Sequence, residues 1–253
     1  MNIKLFTIPN FLTLGNLFCG CLAVMYLNLS IATELDVTYI VLILLLLSLV
    51  FDFLDGMVAR LLKSNSEIGI QLDSLADMVS FGVVPGFLMF HLLGGYYIEQ
   101  SKPDELLCYA NVKFAFGALL GFLIILFSAL RLAKFNVDTE QSTYFKGLAT
   151  PANTILIFSL FWIQNQNGFI ISPQSDLYFL IVITILSCWL LIANLPLFSF
   201  KFKGFAWNDN HYKYVFLIIS IILLILFQMN SVPFIILLYI IISIIFRKKI
   251  IHA

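Results

Sequence analysis

The chain has 253 residues, of which 61% are hydrophobic and only 11% charged, and its mean hydropathy is +1.02. No soluble domain of this length is so apolar, so the class is an all-α, polytopic integral membrane protein. The 14 basic and 14 acidic residues cancel to zero net charge, which offers nothing to a nucleic-acid partner.

Apolar runs of membrane-spanning length predict eight helical spans, over 9–29, 37–61, 69–93, 111–134, 150–166, 176–197, 213–229 and 232–247. The first follows a single Lys4. It has no small-x-small cleavage site, and Phe18 ahead of Cys19 is too bulky for a lipobox, so an uncleaved helix is expected. Cys19 and Cys21 point to different helix faces and, with Cys108 and Cys188, read as packing residues. The fifth span is short and closes on Gln164-Asn165-Gln166-Asn167. The last two are split only by Gln228–Ser231 before Pro233, giving a tight hairpin or one broken element.

No repeat or linker divides the chain, so 1–253 is expected to be one membrane domain. The polar interest lies in 8–197, and the additional C-terminal hairpin over 213–247 reads as scaffold. With the N-terminus inside, twelve basic residues fall on the cytoplasmic side: Lys4, Arg60, Lys63, Arg131, Lys134, Lys146, Lys201, Lys203, Lys213, Arg247, Lys248 and Lys249. Only Lys102 and Lys113 fall opposite, among Glu34, Asp36, Glu99, Asp104, Glu105 and Asp176. That asymmetry supports an even number of spans with both termini in the cytoplasm; an inner (cytoplasmic) membrane location, with the active site facing the cytoplasm, is expected.

Four aspartates break the apolar pattern: Asp52 and Asp55 on the second span, Asp73 and Asp77 on the third. A carboxylate at bilayer depth costs about 2.5–3.5 kcal/mol on insertion scales, so such residues read as functional. Asp52, Asp55, Gly56, Ala59 and Arg60 follow helical spacing on one face, as do Gly69, Asp73 and Asp77. The short turn around Lys63–Glu67 makes the two helices antiparallel neighbours, and at about 1.5 Å per residue the acidic pairs fall at similar depth. Arg60 is the only base at that depth. Four carboxylates therefore call for one or two hard divalent cations, Mg²⁺ or Mn²⁺. Gly56, Ala59 and Gly69 leave room for a ligand, and Arg60 is placed to meet a phosphate. A cation or proton conduit is the competing class, but it gives no reason for Arg60 or the glycine spacing.

The pattern Asp52-x2-Asp55-Gly56-x2-Ala59-Arg60-x8-Gly69-x3-Asp73-x3-Asp77 resembles the signature of the CDP-alcohol phosphotransferase family at all eight positions. That resemblance implies a six-helix catalytic core, here with two helices added. It also implies a centre of two divalent cations held by Asp52, Asp55, Asp73 and Asp77, with Asp77 as general base. Gly56, Ala59, Arg60 and Gly69 would border the CDP moiety. Pro9-Asn10-x2-Thr13-x2-Asn16 resembles the first-helix motif of the family, with Asn10, Thr13 and Asn16 facing the diphosphate; a helix cap is the plainer reading of Asn10. Relatives of this kind are typically homodimers.

Ala129-Leu-Arg131-Leu-Ala-Lys134-Phe-Asn136 and Gly147-Leu-Ala-Thr150-Pro151-Ala152-Asn153 resemble the phosphatidylserine synthase branch, with Lys134 for the commoner arginine and Ala149 for the commoner proline. The branch implies transfer of phosphatidyl from CDP-diacylglycerol to L-serine, releasing CMP. A serine carboxylate needs a cation in a low-dielectric pocket, and Arg131, then Lys134 and Lys146, are the candidates. Glycerol 3-phosphate and inositol phosphate remain alternative acceptors, because phosphates want the same bases, and choline remains a third within the family. His91, His211 and His252 stand away from the acids and read as incidental.

Overall fold

The computed structural model describes residues 6–33, 35–64, 66–100, 106–109, 112–138, 144–168, 170–199 and 207–251. Of the residues used above, Lys4, Glu34, Lys102, Asp104, Glu105, Lys201, Lys203 and His252 lie outside that set, as do the side chains of Glu99, Cys108 and Lys113. The helices are α1 (Ile8–Thr33), α2 (Thr38–Leu61), α3 (Glu67–Met78), α4 (Val84–Gln100), α5 (Leu123–Val137), α6 (Thr150–Asn167), α7 (Pro173–Ile192), α8 (Trp207–Phe227), α9 (Val232–Ile245) and the short α10 (Arg247–Ile251).

Six helical stretches among the described residues are long and apolar enough to cross a bilayer. The last, Asn210–Ile245, has 36 residues, about 54 Å if straight and far more than a bilayer needs. It doubles back instead. A 3-10 turn at Gln228–Ser231, with Gln228 at φ 49°, brings the Tyr212 ring of α8 onto Phe246 just past α9, centroids 5.5 Å apart. The expected hairpin is therefore present. Helix α6 is 18 residues long but is not among the six; Thr150, Asn153, Thr154 and Ser159 put polar groups into its buried side.

Helices α3 and α4 form one rod through a π-helical turn at Val79–Val83. Pro85 follows that turn. It has no N–H for the carbonyl four residues back, that of Phe81, and this carbonyl accepts from Thr154 Oγ1 of α6 at 3.1 Å. A proline that would kink a lone helix, about two turns beyond Asp77, is thereby accommodated by a neighbour.

Two boundaries differ from expectation. Residues 112–115, expected to begin the fourth span, form strand β2 (Val112–Ala115), antiparallel to β1 (Leu106–Tyr109); helical structure starts with a 3-10 segment at Phe116. Gly121 in that segment lies against α4 so closely that a Cβ would sit 2.5 Å from the Phe90 nitrogen. The sixth span ends at Ile192 rather than 197, because β4 (Pro196–Phe198) pairs with β3 (Tyr144–Lys146). Gly147 makes that strap possible: at φ +80° it packs on the end of α7, where a Cβ would meet the carbonyls of Leu190, Leu191 and Ala193 within 3 Å.

Leu27, Val41, Leu45, Leu88, Leu92, Leu93 and Leu180 fill the bundle at the end away from the α2–α3 turn. A second cluster of Leu148, Leu197, Phe198, Phe216, Tyr239 and Ile242 seats the C-terminal hairpin on the β3–β4 strap. Cys19 and Cys188 are buried and free, as packing residues should be, whereas Cys21 is exposed and does not pack inside the chain.

Candidate active site

Helix α1 packs along α2 and against both α3 and the π turn. The acidic helices were expected to be antiparallel neighbours with their acids facing across one cavity. Backbone contact between them is slight, and they meet chiefly through side chains across a gap floored by α1. Carboxylate oxygens of Asp52, Asp55 and Asp73 converge in that gap, all within 4.8 Å of one another. Asp77 stands beside this trio and carries its own partner: Asn16 Nδ2 donates to its Oδ1 at 3.1 Å.

The first-helix residues hold the acids from below. Asn10, Thr13 and Asn16 are all buried. The Thr13 hydroxyl sits 2.5 Å from Asp55 Oδ2 and 3.1 Å from the Pro9 carbonyl, and its one proton goes to the nearer, charged acceptor. Asn16 is fixed in turn: its backbone carbonyl accepts from Ser48 Oγ at 3.2 Å and Ser80 Oγ at 3.0 Å, which ties α1 to α2 and to the π turn.

Beside the trio, a cavity of about 330 Å³ is lined by Asn10, Thr13, Asp55, Gly56, Ala59, Arg60, Ser64, Ser66, Gly69 and Asp73, among others. Its small residues act in two ways. At Gly69 a Cβ would press on Ser66 Oγ (3.1 Å) and Asn10 Oδ1 (3.4 Å). At Gly56 it would meet only the Arg60 guanidinium at 3.5 Å, so bareness there leaves space for a ligand. Ser66 caps α3, accepting from Gly69 N at 3.0 Å, and aims the positive end of that helix at the cavity. Ser64 and Ser66 are site residues the sequence reading passed over, although a serine three residues before Gly69 at a helix start is a legible cap.

The donor set fits a divalent cation. Three carboxylates converge within 4.8 Å of one another, and Asp73 Oδ1 is buried with no hydrogen-bond partner among the described residues. Uncompensated, such an arrangement is costly; hard oxygen ligands around a doubly charged ion resolve it. Asn16 Oδ1 is likewise buried and unpartnered, one side-chain atom away from its bond to Asp77.

Among the expected serine-binding residues, Arg131 is 7% exposed on α5, within electrostatic reach of Asp77, with its guanidinium 5.1 Å from the Phe135 ring centre. Lys134 turns elsewhere: its Nζ donates to the Ile192 carbonyl at 3.1 Å and to Asn194 Oδ1 at 2.6 Å, closing the end of α7. Lys146 pairs with Asp138 at 2.8 Å, fastening the β3 strand to the end of α5. Asn136 donates to Ser74 Oγ at 2.8 Å, so α5 is bonded to the acidic helix α3.

Comparison with known proteins agrees with this geometry. The chain is 29% identical over 223 residues to the CDP-diacylglycerol–serine O-phosphatidyltransferase of Helicobacter pylori, covering 86% of this chain and 82% of that one. It is 30% identical over 154 residues to the enzyme of the same name from Methanocaldococcus jannaschii, covering 61% and 60%. With the archaetidylserine synthase of Methanothermobacter thermautotrophicus it shares 34% over 159 residues, covering 61% and 57%. A sequence profile described as CDP-alcohol phosphatidyltransferase matches residues 6–193, a segment that holds all four aspartates, the Thr13 and Asn16 supports, Arg60 and Arg131. The chain belongs to the CDP-alcohol phosphatidyltransferase family.

Proposed function

We propose that this protein transfers the phosphatidyl group of CDP-diacylglycerol to the hydroxyl of L-serine, giving phosphatidylserine and CMP. The observation that carries the reading is the convergence of three carboxylates at the edge of a cavity that Arg60 and the start of α3 also line. The names of the relatives point to serine among possible acceptors.

Asp52, Asp55, Asp73 and Asp77 hold two divalent cations, Mg²⁺ or Mn²⁺. When bound, these supply Lewis-acid polarisation of the diphosphate and charge neutralisation for the leaving CMP. The chain's own residues do the rest. Arg60 contacts a phosphate in the cavity, and Asn10 and the Ser66-capped end of α3 offer further polar contacts along it. Thr13 holds Asp55 in place through its hydroxyl, so that carboxylate keeps one orientation throughout.

Asp77 is the general base. Asn16 occupies its Oδ1, leaving Oδ2 to accept the serine hydroxyl proton as that oxygen attacks the phosphorus bearing diacylglycerol. The P–O bond to CMP breaks as the new one forms. Arg131 receives the serine carboxylate, while Lys134 and Lys146, bonded to Ile192, Asn194 and Asp138, fasten the elements around it. The bias of basic residues places this end of the bundle at the cytoplasmic face of the inner membrane, with both termini on the same side.

A cation conduit has little support. Past the acids the bundle is packed with Leu27, Leu88, Leu92 and Leu93, all fully buried.

The test is an acceptor screen. Purified protein in vesicles containing CDP-diacylglycerol is given labelled serine, glycerol 3-phosphate, inositol phosphate or choline in turn, with Asp77→Asn alongside. Serine-dependent CMP release that Asp77→Asn reduces by about 10³-fold or more supports the reading. CMP release with another acceptor and none with serine overturns the choice of serine.

A further inference from the structure

The cavity beside Arg60 lies toward the α2–α3 turn and is lined largely by serines, aspartates and Asn10, a place for polar groups rather than lipid tails. A second cavity, of about 150 Å³, lies on the other side of the acids. On α2 it is lined by Leu42, Leu45, Leu46 and Leu49, which share one helical face. That stripe runs on through Leu49 into Asp52 and Gly56 with the same three-and-four spacing. Across from α2 the cavity meets Phe81, which stands one turn past Asp77 on the α3–α4 rod. Polar cavity, acids and apolar groove therefore follow one another along a single helix.

The groove is hydrocarbon in character. Its one hydroxyl, on Thr154, faces the carbonyls of Phe81 and Thr150 at 3.1 and 2.9 Å and has no proton left for a ligand. Leu46 is 52% exposed and Ile155 39%, and both lie within the bundle's apolar depth, so the groove opens sideways toward lipid. From Leu49 to Leu42 the helix rises about 10 Å, within the roughly 15 Å that one leaflet's hydrocarbon occupies. The remaining wall comes from the C-terminal hairpin: Met229 in its 3-10 turn and Val232 at the start of α9. Both lie beyond residue 193, where the family match ends.

We propose that this groove seats one acyl chain of the donor lipid, and that the hairpin turn is the wall that decides which chains fit. This rests on the reading that CDP-diacylglycerol is the donor, and the experiment separates the two. A chain passing from bilayer to groove gains little hydrophobic free energy, because both are apolar. What the groove supplies is orientation: a seated chain fixes the glycerol end, and with it the phosphorus under attack, against the acids.

Full-length protein in mixed micelles of one non-ionic detergent is assayed for serine-dependent CMP release with dioleoyl or dihexanoyl CDP-diacylglycerol. Wild type, Leu46→Trp, Ile155→Trp and Met229→Ala are compared, with Tm recorded for each. The two tryptophans enter at the lipid-open mouth and fill the groove. KM for the dioleoyl donor should rise about tenfold, the scale of over-filling a packed apolar site. KM for the dihexanoyl donor and for serine should stay within about twofold. Met229→Ala widens the groove, so kcat/KM for a methyl-branched diphytanoyl donor, relative to the dioleoyl one, should rise about threefold or more. Damage to the fold does not produce such a gain.

Equal rises in KM for long and short donors, or an unchanged KM for the dioleoyl donor in both tryptophan variants, overturn the groove as the donor's seat; the second result leaves it holding bulk lipid only. The expected tryptophan effect with no shift in Met229→Ala overturns the part assigned to the hairpin. If wild type releases no serine-dependent CMP from either donor, the proposed function falls, and this inference with it.

Discussion

Thr13→Val is the substitution whose effect can be worked most fully from the geometry. Valine keeps the shape of threonine and removes only the hydroxyl that sits 2.5 Å from Asp55 Oδ2. Asp55 is 5% exposed, so no bulk water replaces the lost donor. A hydrogen bond to a charged group contributes about 1.5–3 kcal/mol. At about 1.4 kcal/mol per decade, that is roughly a 10- to 150-fold weakening of whatever the oriented carboxylate holds. Residues that orient metal ligands commonly show about the same range, 10- to 100-fold in metal affinity. The assay is CMP release at fixed substrate concentrations, titrated with Mg²⁺ or Mn²⁺. The half-saturating cation concentration should rise about 10- to 100-fold in Thr13→Val, with rates at saturating cation recovering to within a few fold. Thr13→Ser, which restores the donor, should titrate like wild type. An unchanged cation dependence in a folded Thr13→Val protein would refute the idea that α1 orients a metal ligand.

Arg60→Lys keeps the charge at the cavity but loses the bidentate fork; KM for CDP-diacylglycerol should rise about tenfold while KM for serine stays put, read from steady-state rates with each substrate varied. Gly121→Ala forces a Cβ to 2.5 Å from the Phe90 nitrogen and 3.0 Å from its Cα, both backbone. The helices must separate, costing about 1–3 kcal/mol, visible as a lower Tm in detergent without a selective change in either KM. Asp36 accepts from Thr38 N at 2.9 Å, and hydrogen bonds from Thr38 hold its carboxyl below the ordinary range. A depressed value means the stabilisation is present above the unfolded carboxylate range and lost as pH falls through the folded one. The protection factor at the first turn of α2, with intrinsic exchange corrected for pH, should therefore fall on acidification in wild type, and be low at all pH values in Asp36→Ala.

The acids were legible because helical spacing fixes which residues share a face, and the short turn at Lys63–Glu67 fixes the relative depth of two consecutive helices. Asn10, Thr13 and Asn16 were singled out by their resemblance to a family motif, and their spacing of three is compatible with a shared side of α1. What spacing does not reveal is which third helix lies against the other two. That α1 floors the gap depends on contacts such as Ser48 and Ser80 on the Asn16 carbonyl, three residues far apart in the chain. The π turn was also hidden, since Pro85 signals a break but not that Thr154 would serve the carbonyl it leaves. Basic residues were the most ambiguous. Arg131, Lys134 and Lys146 look alike in a sequence, whereas in the fold one faces Asp77 and the other two fasten helix ends and strands. The C-terminal hairpin carried no motif, so the bond from Tyr239 to the Phe198 carbonyl was invisible until the strap was in place.

The convergence of Asp52, Asp55 and Asp73 is the centre on which the chemistry depends, and direct cation binding tests it without any assay of turnover. Electron paramagnetic resonance of Mn²⁺ titrated into purified protein, without substrates, reports the bound ion in wild type and in Asp73→Asn. Tight Mn²⁺ binding in wild type, weakened about 100-fold or lost in Asp73→Asn while Tm holds, is the expected result. Equal binding by both proteins, or none by wild type even with CDP-diacylglycerol present, would contradict a metal centre at these carboxylates.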